Sequence, residues 1–339
     1  MPDLAPNILH ERLLKSAPKS LAWSADRDFS TWRADVDSKF RELIGWMPEP
    51  VDLNIRIEWE NDTDEFHETR FVFTAEENAD VPCHLLVPKS GNGPHPVVIC
   101  LQGHSTGMHI SLGRAKYDGD EKSIAGNRDF GLQAVREGYA ALVLEQRCFG
   151  EREDSRPEGR KSVSNRCTHA SMVSLLLGRT MIGERCYDVS RAIDALSAFD
   201  NVDVSRIGCM GNSGGGTITF FASCLEPRIG VSMPSSYVCT FRDSIGSIDH
   251  CPDNYIPGIL LWFEMGDLAG LIAPRPLVVV AGKEDGIFPF HGVQETFEKI
   301  KTIYAAAGAP DNCQLVVGDG GHRFYAEPAW PVFRELSKW

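Results

Sequence analysis

RIGCMGNSGGG, Arg206 to Gly216, sets Gly211, Ser213 and Gly215 in the spacing G-x-S-x-G. A short apolar run, Ile207 to Met210, enters the motif, and a helix-permissive run, TITFFASCL from Thr217 to Leu225, leaves it. The pattern predicts strand, sharp turn and helix, with the serine on strained backbone at the strand end and its hydroxyl exposed. Glycine at 211, 214 and 215 supplies the room such a turn needs. Glycine and serine are also common in ordinary loops, so the reading needs partners elsewhere in the chain.

Working outward, the flanking sequence alternates strands with helices. PVVICLQGH (96 to 104) and AALVLEQR (140 to 147) are continuous apolar runs of the buried parallel type, as are IGVSMPSS (229 to 236), PLVVVAG (276 to 282) and CQLVVGDG (313 to 320). Helical stretches are expected around Phe130 to Glu137, in one long segment from His169 to Phe199, after Phe290, and from Ala329 to Lys338. VDLNIRIEW, HETRFVFTA and VPCHLLVP, between Val51 and Pro88, alternate apolar with polar residues and predict antiparallel strands at a sheet edge. The sum is an α/β fold: a mostly parallel doubly wound sheet with helices on both faces, ligands gathering at the carboxyl ends of its strands. Residues 1–50 form an N-terminal helical arm and 51–339 a catalytic domain. Residues 147–166 and 239–271 are too long for simple connections and are expected to be lids or walls.

A serine hydroxyl is a poor nucleophile until a base takes its proton, so Ser213 demands a histidine and a carboxylate to orient it. GKEDGIFP places Asp285 just past one strand, and GDGGHRFY places His322 just past the last. The chain order Ser, Asp, His is the one this kind of turn requires. Glu284, Asp319 and Asp267 are rival acids, and Asp285 is preferred because it precedes the turn to Pro289. The backbone N–H of Gly214 is the expected first oxyanion donor, and that of Gly103 or His104, in the loop after PVVICL, the second.

These segments together resemble the α/β-hydrolase fold. GRTMIGERCYDVSRAIDAL, QRCFGER and HCPDNYIPG are similar to the dienelactone-hydrolase-like branch that includes bacterial acetyl xylan esterases and related carbohydrate esterases. Dienelactone hydrolases proper use a cysteine nucleophile, whereas this chain has Ser213, and Gln102 stands where many hydrolases carry histidine. The resemblance implies a serine carboxylesterase acting on short-acyl, chiefly acetyl, esters of small molecules or saccharides. A peptidase or amidase of the same fold and a non-catalytic binding protein are the alternatives.

Arg147, His250 and Trp262 are expected substrate contacts. His250, Cys251 and Asp253 lack the separated ligand pairs of a zinc site and read as a pocket wall, so no metal or cofactor is expected. Arg147, Glu151 and Arg152 predict a salt-linked loop, and Glu184, Arg185 and Asp188 a structural network. GCMGNSGGG is not a dinucleotide fingerprint. The net charge of −13 argues against nucleic acid. MPDLAPNILHERLLKSAPKS has no basic stretch leading into an apolar one, so neither signal peptide nor membrane span is expected. Ten cysteines without C-x-x-C predict reduced thiols and a cytoplasmic setting. A homo-oligomer is left open.

Overall fold

The structure, a computed structural model, describes residues 4–153 and 166–339, so residues 154–165 of the 147–166 insertion lie outside the described residues. Among the described residues nine strands form one sheet: β1 (Arg56–Asp62), β2 (Phe66–Glu76), β3 (Ala79–Pro88), β4 (His95–Leu101), β5 (Ala140–Leu144), β6 (Val202–Asn212), β7 (Ile229–Ser235), β8 (Leu277–Gly282) and β9 (Cys313–Gly318). Their spatial order is β1-β2-β3-β5-β4-β6-β7-β8-β9. The first three run antiparallel, β3 pairs antiparallel with β5, and every pair from β5 to β9 is parallel. This is the α/β-hydrolase architecture. Helices in chain order are α1 (Pro6–Ser16), α2 (Phe29–Ile44), α3 (Asp120–Ser123), α4 (Phe130–Arg136), α5 (Arg166–Leu176), α6 (Met181–Leu196), α7 (Gly214–Leu225), α8 (Met265–Leu268), α9 (Phe290–Ala306) and α10 (Ala326–Ser337).

The continuous apolar runs become central strands because helices cover them on both faces. One face carries α2, α6, α7 and α9 over a core that includes Phe40, Val189, Phe221 and Ile300. The other carries α4 and α10 over Phe130, Trp330 and Phe333. A Phe to Ala change in such a core costs about 3–5 kcal/mol, part transfer and part cavity.

The N-terminal arm divides in two. Asp28 caps α2 by accepting the N–H of Thr31 at 2.9 Å. The helix then buries Trp32, Val36, Phe40 and Ile44 along one stripe and ends at Gly45, φ 92°. Phe40 stacks on Phe221 with centroids 5.6 Å apart, so α2 belongs to the main core. Helix α1 buries no residue.

Two expectations change. The single helix over 169–199 is two, α5 and α6, broken where Gly178 takes φ 73° and Thr180 caps α6 by accepting the N–H of Gly183 at 3.0 Å. The first edge strand starts at Arg56 rather than Val51, because Asn54 sits at φ 41° and its N–H bonds Asp52. Among the described residues no helix is long and apolar enough to cross a membrane.

Candidate active site

Strand β6 ends at Asn212, Ser213 takes φ 59° and ψ −124°, and α7 begins at Gly214. A non-glycine residue there costs on the order of 1–3 kcal/mol and persists only when its surroundings hold it. The Ser213 N–H donates to the Ser235 carbonyl at 2.9 Å, and its own carbonyl accepts from Thr217 N at 2.8 Å. A Cβ at Gly211 would lie 2.6 Å from the Leu101 carbonyl oxygen, and one at Gly215 2.0 Å from it. Glycine at these positions lets the start of α7 close onto the end of β4. Gly216, which lies outside the G-x-S-x-G spacing, is equally tight, 2.4 Å from the Ser235 carbonyl. A Cβ at Gly214 would meet chiefly the His104 ring, 3.1 Å from Nδ1.

Asp285 and His322 follow β8 and β9, which pair in register to Gly282 and Gly318. His322 Nδ1 lies 2.8 Å from Asp285 Oδ2. The other oxygen, Oδ1, accepts the N–H groups of Ile287 at 2.9 Å and Phe288 at 3.1 Å. Burial opposes ionisation of this carboxyl, but the His322 contact and the two backbone donors outweigh it and hold it below the usual carboxylate range. The Phe288 ring stacks on His322 at 5.8 Å and 20°. Two of the three rival acids are occupied elsewhere: Asp319 pairs with Lys283 at the surface, and Asp267 accepts the N–H groups of Trp23 and Glu264.

The loop after β4 presses against the elbow. A Cβ on Gly103 would stand 2.5 Å from Asn212 O, 3.0 Å from Ser213 Cβ and 3.1 Å from Gly214 N, so only glycine permits this approach. Gln102 braces the loop, donating to Ser111 Oγ at 2.6 Å and Arg128 O at 2.7 Å, while Gln146 donates to the Gln102 carbonyl. Buried Glu145 accepts Met108 N through both oxygens, at 3.0 and 3.1 Å. Burial pushes Glu145 up to about 7.

The expected substrate contacts fare differently. Arg147 makes four hydrogen bonds to Asp188, Glu184 and Glu76 at 2.7 to 2.9 Å, which makes it a half-buried brace rather than a free substrate ligand. Trp262 packs on the N-terminal arm, with Lys39 Nζ 4.3 Å over its ring and its carbonyl accepting Leu21 N. His250 does reach the site: its ring meets Phe288 edge-on at 5.8 Å, and its buried Nδ1 has no protein partner among the described residues. Glu151 pairs with Arg70 at 2.7 Å, so the expected loop of Arg147, Glu151 and Arg152 is instead split between two networks. Glu184 and Asp188 belong to the Arg147 brace.

Arg185 leaves that brace for Asp253, at 2.8 Å. Asp253, Cys251 and His104 carry no common motif in the sequence; the fold draws them together with Cys167. His104 Nε2 lies 3.1 Å from Asp253 Oδ2, and the His104 ring meets Phe149 edge-on at 5.1 Å. Asp253 stands out in the sequence only as part of a His250–Cys251–Asp253 wall, and nothing local marks Cys167 or Phe149, because their neighbour His104 is remote in the chain.

Residues 7–326 match the Abhydrolase family. The chain is 24% identical over 319 residues to YtaP of Bacillus subtilis (strain 168), provisionally named a hydrolase, covering 91% of this chain and 99% of that one. Among solved structures, it is similar to a Bacteroides fragilis NCTC 9343 protein provisionally named an acetyl xylan esterase. There the TM-score is 0.77 and the identity 18%, over 94% of this chain and 83% of the other. A glucuronoyl esterase from Solibacter usitatus matches with TM-score 0.71 at 15% identity, over 95% and 97% of the two chains.

Proposed function

The chain belongs to the Abhydrolase family, and we propose that it is a serine carboxylesterase. Ser213 is the nucleophile, His322 the general base and Asp285 the residue that orients the imidazole. What supports the reading is the 2.8 Å contact between His322 Nδ1 and Asp285 Oδ2, made just past β9 and β8, together with a serine held at φ 59° just past the parallel strand β6.

The carboxylate holds the Nδ1–H, leaving Nε2 as the base that takes the Ser213 proton. Ser213 Oγ then attacks the ester carbonyl, and the N–H of Gly214 with that of Gly103 or His104 receives the oxyanion. Each such donor is worth roughly 3–4 kcal/mol in other enzymes. His322 returns the proton to the departing alcohol, an acyl-enzyme remains, and water releases it by the same steps. Asp285 stays ionised throughout, which the backbone donors to Oδ1 favour.

The substrates we propose are short-acyl, chiefly acetyl, esters of small alcohols or saccharides, in keeping with the carbohydrate-esterase names of structures sharing the fold. A chain of net charge −13 also favours neutral esters over anionic ligands. The test is hydrolysis of p-nitrophenyl acetate with labelling by a fluorophosphonate. The native chain should turn over and label at Ser213, and Ser213→Ala should do neither. Unchanged hydrolysis by Ser213→Ala would sink the proposal. A panel of acetylated sugars, longer acyl esters and peptides then separates esterase from amidase.

A further inference from the structure

Beside the proposed hydrolytic centre stands a second group of reactive side chains that the ester mechanism does not use. His104, Cys167, Cys251 and Asp253 each offer one ligand atom, and these four atoms all lie within 4.8 Å of one another. They come from three segments: the loop after β4, the first turn of α5, and the turn around Pro252–Asn254. We propose that these four side chains bind one thiophilic divalent cation of the zinc class.

The donor set selects the ion. Two thiolates, an imidazole and a single carboxylate suit zinc, whereas calcium and magnesium require mostly oxygen. In a tetrahedral site with bonds of about 2.0–2.3 Å, ligand atoms stand roughly 3.3–3.8 Å apart. The observed group therefore needs to contract by no more than ~1.5 Å at its widest pair. His104 Nε2 and Asp253 Oδ2, at 3.1 Å, already have nearly that spacing.

Charge closes as well. Two thiolates and the aspartate carry three negative charges, which the cation and buried Arg185 balance with a neutral imidazole. Arg185 is held for this role: it pairs with Asp253 Oδ2 at 2.8 Å, donates to the Arg147 carbonyl at 2.7 Å, and lies 4.5 Å over the Phe149 ring. Its remaining contact is with Cys167 Sγ, at 3.7 Å. The ligands have outer partners too. Asn254 donates to Asp253 Oδ1 at 2.7 Å and accepts from Thr217 Oγ1 at 2.8 Å, which ties the site to α7. Such partners orient ligands and are typical of built metal sites.

Binding forms two metal–sulfur bonds, one metal–nitrogen bond and one metal–oxygen bond. The two thiol protons pass to solvent, and no electron is transferred. Four protein ligands leave no open position, so the cation is structural. It would pin the loop bearing Gly103 and His104 to the turn at Cys251 and Asp253. With Nε2 on the metal, His104 carries its proton on Nδ1, the atom that faces Gly214. The effect on hydrolysis rests on the esterase reading; the metal site does not.

The experiment is a Co2+ titration of the full chain, purified under reductant and stripped by a chelator. We expect one equivalent to give the visible bands of tetrahedral cobalt thiolate, bleached by one equivalent of Zn2+. Cys167→Ser and Cys251→Ser should each weaken binding by at least about tenfold. His104→Ala, which removes a partly exposed ring, should do so with the far-UV spectrum unchanged, while Cys313→Ser binds as the native chain does. Ser213→Ala should keep the cobalt bands, so that loss of hydrolysis and loss of metal are read separately. Absence of cobalt-thiolate bands in the native chain, or cysteine variants that titrate like Cys313→Ser, would overturn the proposal.

Discussion

Two clusters share the loop after β4, and they are built in opposite ways. Ser213, Asp285 and His322 each stand just past a parallel strand, and the register of β8 with β9 sets Asp285 against His322. His104, Cys167, Cys251 and Asp253 come from loops and a helix start, where no strand register acts on them. The first cluster therefore announces itself in local motifs, and the second exists only once the chain has folded. Gly103 and His104 touch both: Gly103 packs on Ser213, and His104 reaches Asp253.

The sharpest way to break this contrast is Ser213→Ala. It should lower kcat for p-nitrophenyl acetate by roughly 10^4 to 10^6, the scale seen when a nucleophile acting with its base is removed. Folding and cobalt binding should be untouched. Asp285→Asn comes next, lowering kcat by about 10^4 because the amide favours the wrong imidazole tautomer. Stopped-flow or steady-state rates settle both, and a loss under tenfold for Asp285→Asn would remove it from the site.

Arg185→Met probes the other cluster. Removing the guanidinium leaves buried Asp253 with only His104 and Asn254 as partners, and loss of one side of a buried ion pair costs about 3–5 kcal/mol in the metal-free chain. Denaturant unfolding with and without Zn2+ measures it, and the deficit should shrink when the cation supplies the missing charge. Equal deficits in both conditions would separate Arg185 from the metal site.

Glu145→Gln gives a smaller, pH-dependent effect on the brace beneath the shared loop. Burial raises the Glu145 carboxyl from 4.5 to about 7, so the native state prefers the proton more than the unfolded chain does. Its contribution is full below about pH 4.5 and is lost as pH rises through 7, up to about 3 kcal/mol. The amide of the variant, neutral at every pH, should flatten that decline in unfolding measurements between pH 4.5 and 7. The smallest effect belongs to Trp262→Ala, which should lower Tm through lost packing on the arm. Its kcat/KM should stay within about twofold, as for a contact remote from chemistry.

Much of the fold could be read in advance because burial writes itself into sequence. PVVICL and AALVL are apolar throughout since helices cover both faces of β4 and β5. The α5–α6 break is also written, in Gly178 and Thr180, but a long helical periodicity masks it. Arg147 could not be read correctly. A charged residue at a strand end looks the same whether it faces substrate or three carboxylates, and those carboxylates lie at positions 76, 184 and 188. Trp262 failed for the same reason, its neighbours being Lys39 and Leu21.

By itself the sequence determined the alternation of strands and helices, the G-x-S-x-G turn, and an aspartate and a histidine just past later strand ends. Those features are local, set by side-chain periodicity and by backbone conformations that few residues tolerate. Only the tertiary structure decided that Arg147 is a brace, that α2 joins the core while α1 does not, and that His104 meets Cys167, Cys251 and Asp253. Each of these depends on contacts between residues far apart in the chain, and pairing at such range leaves no trace in the spacing of either partner.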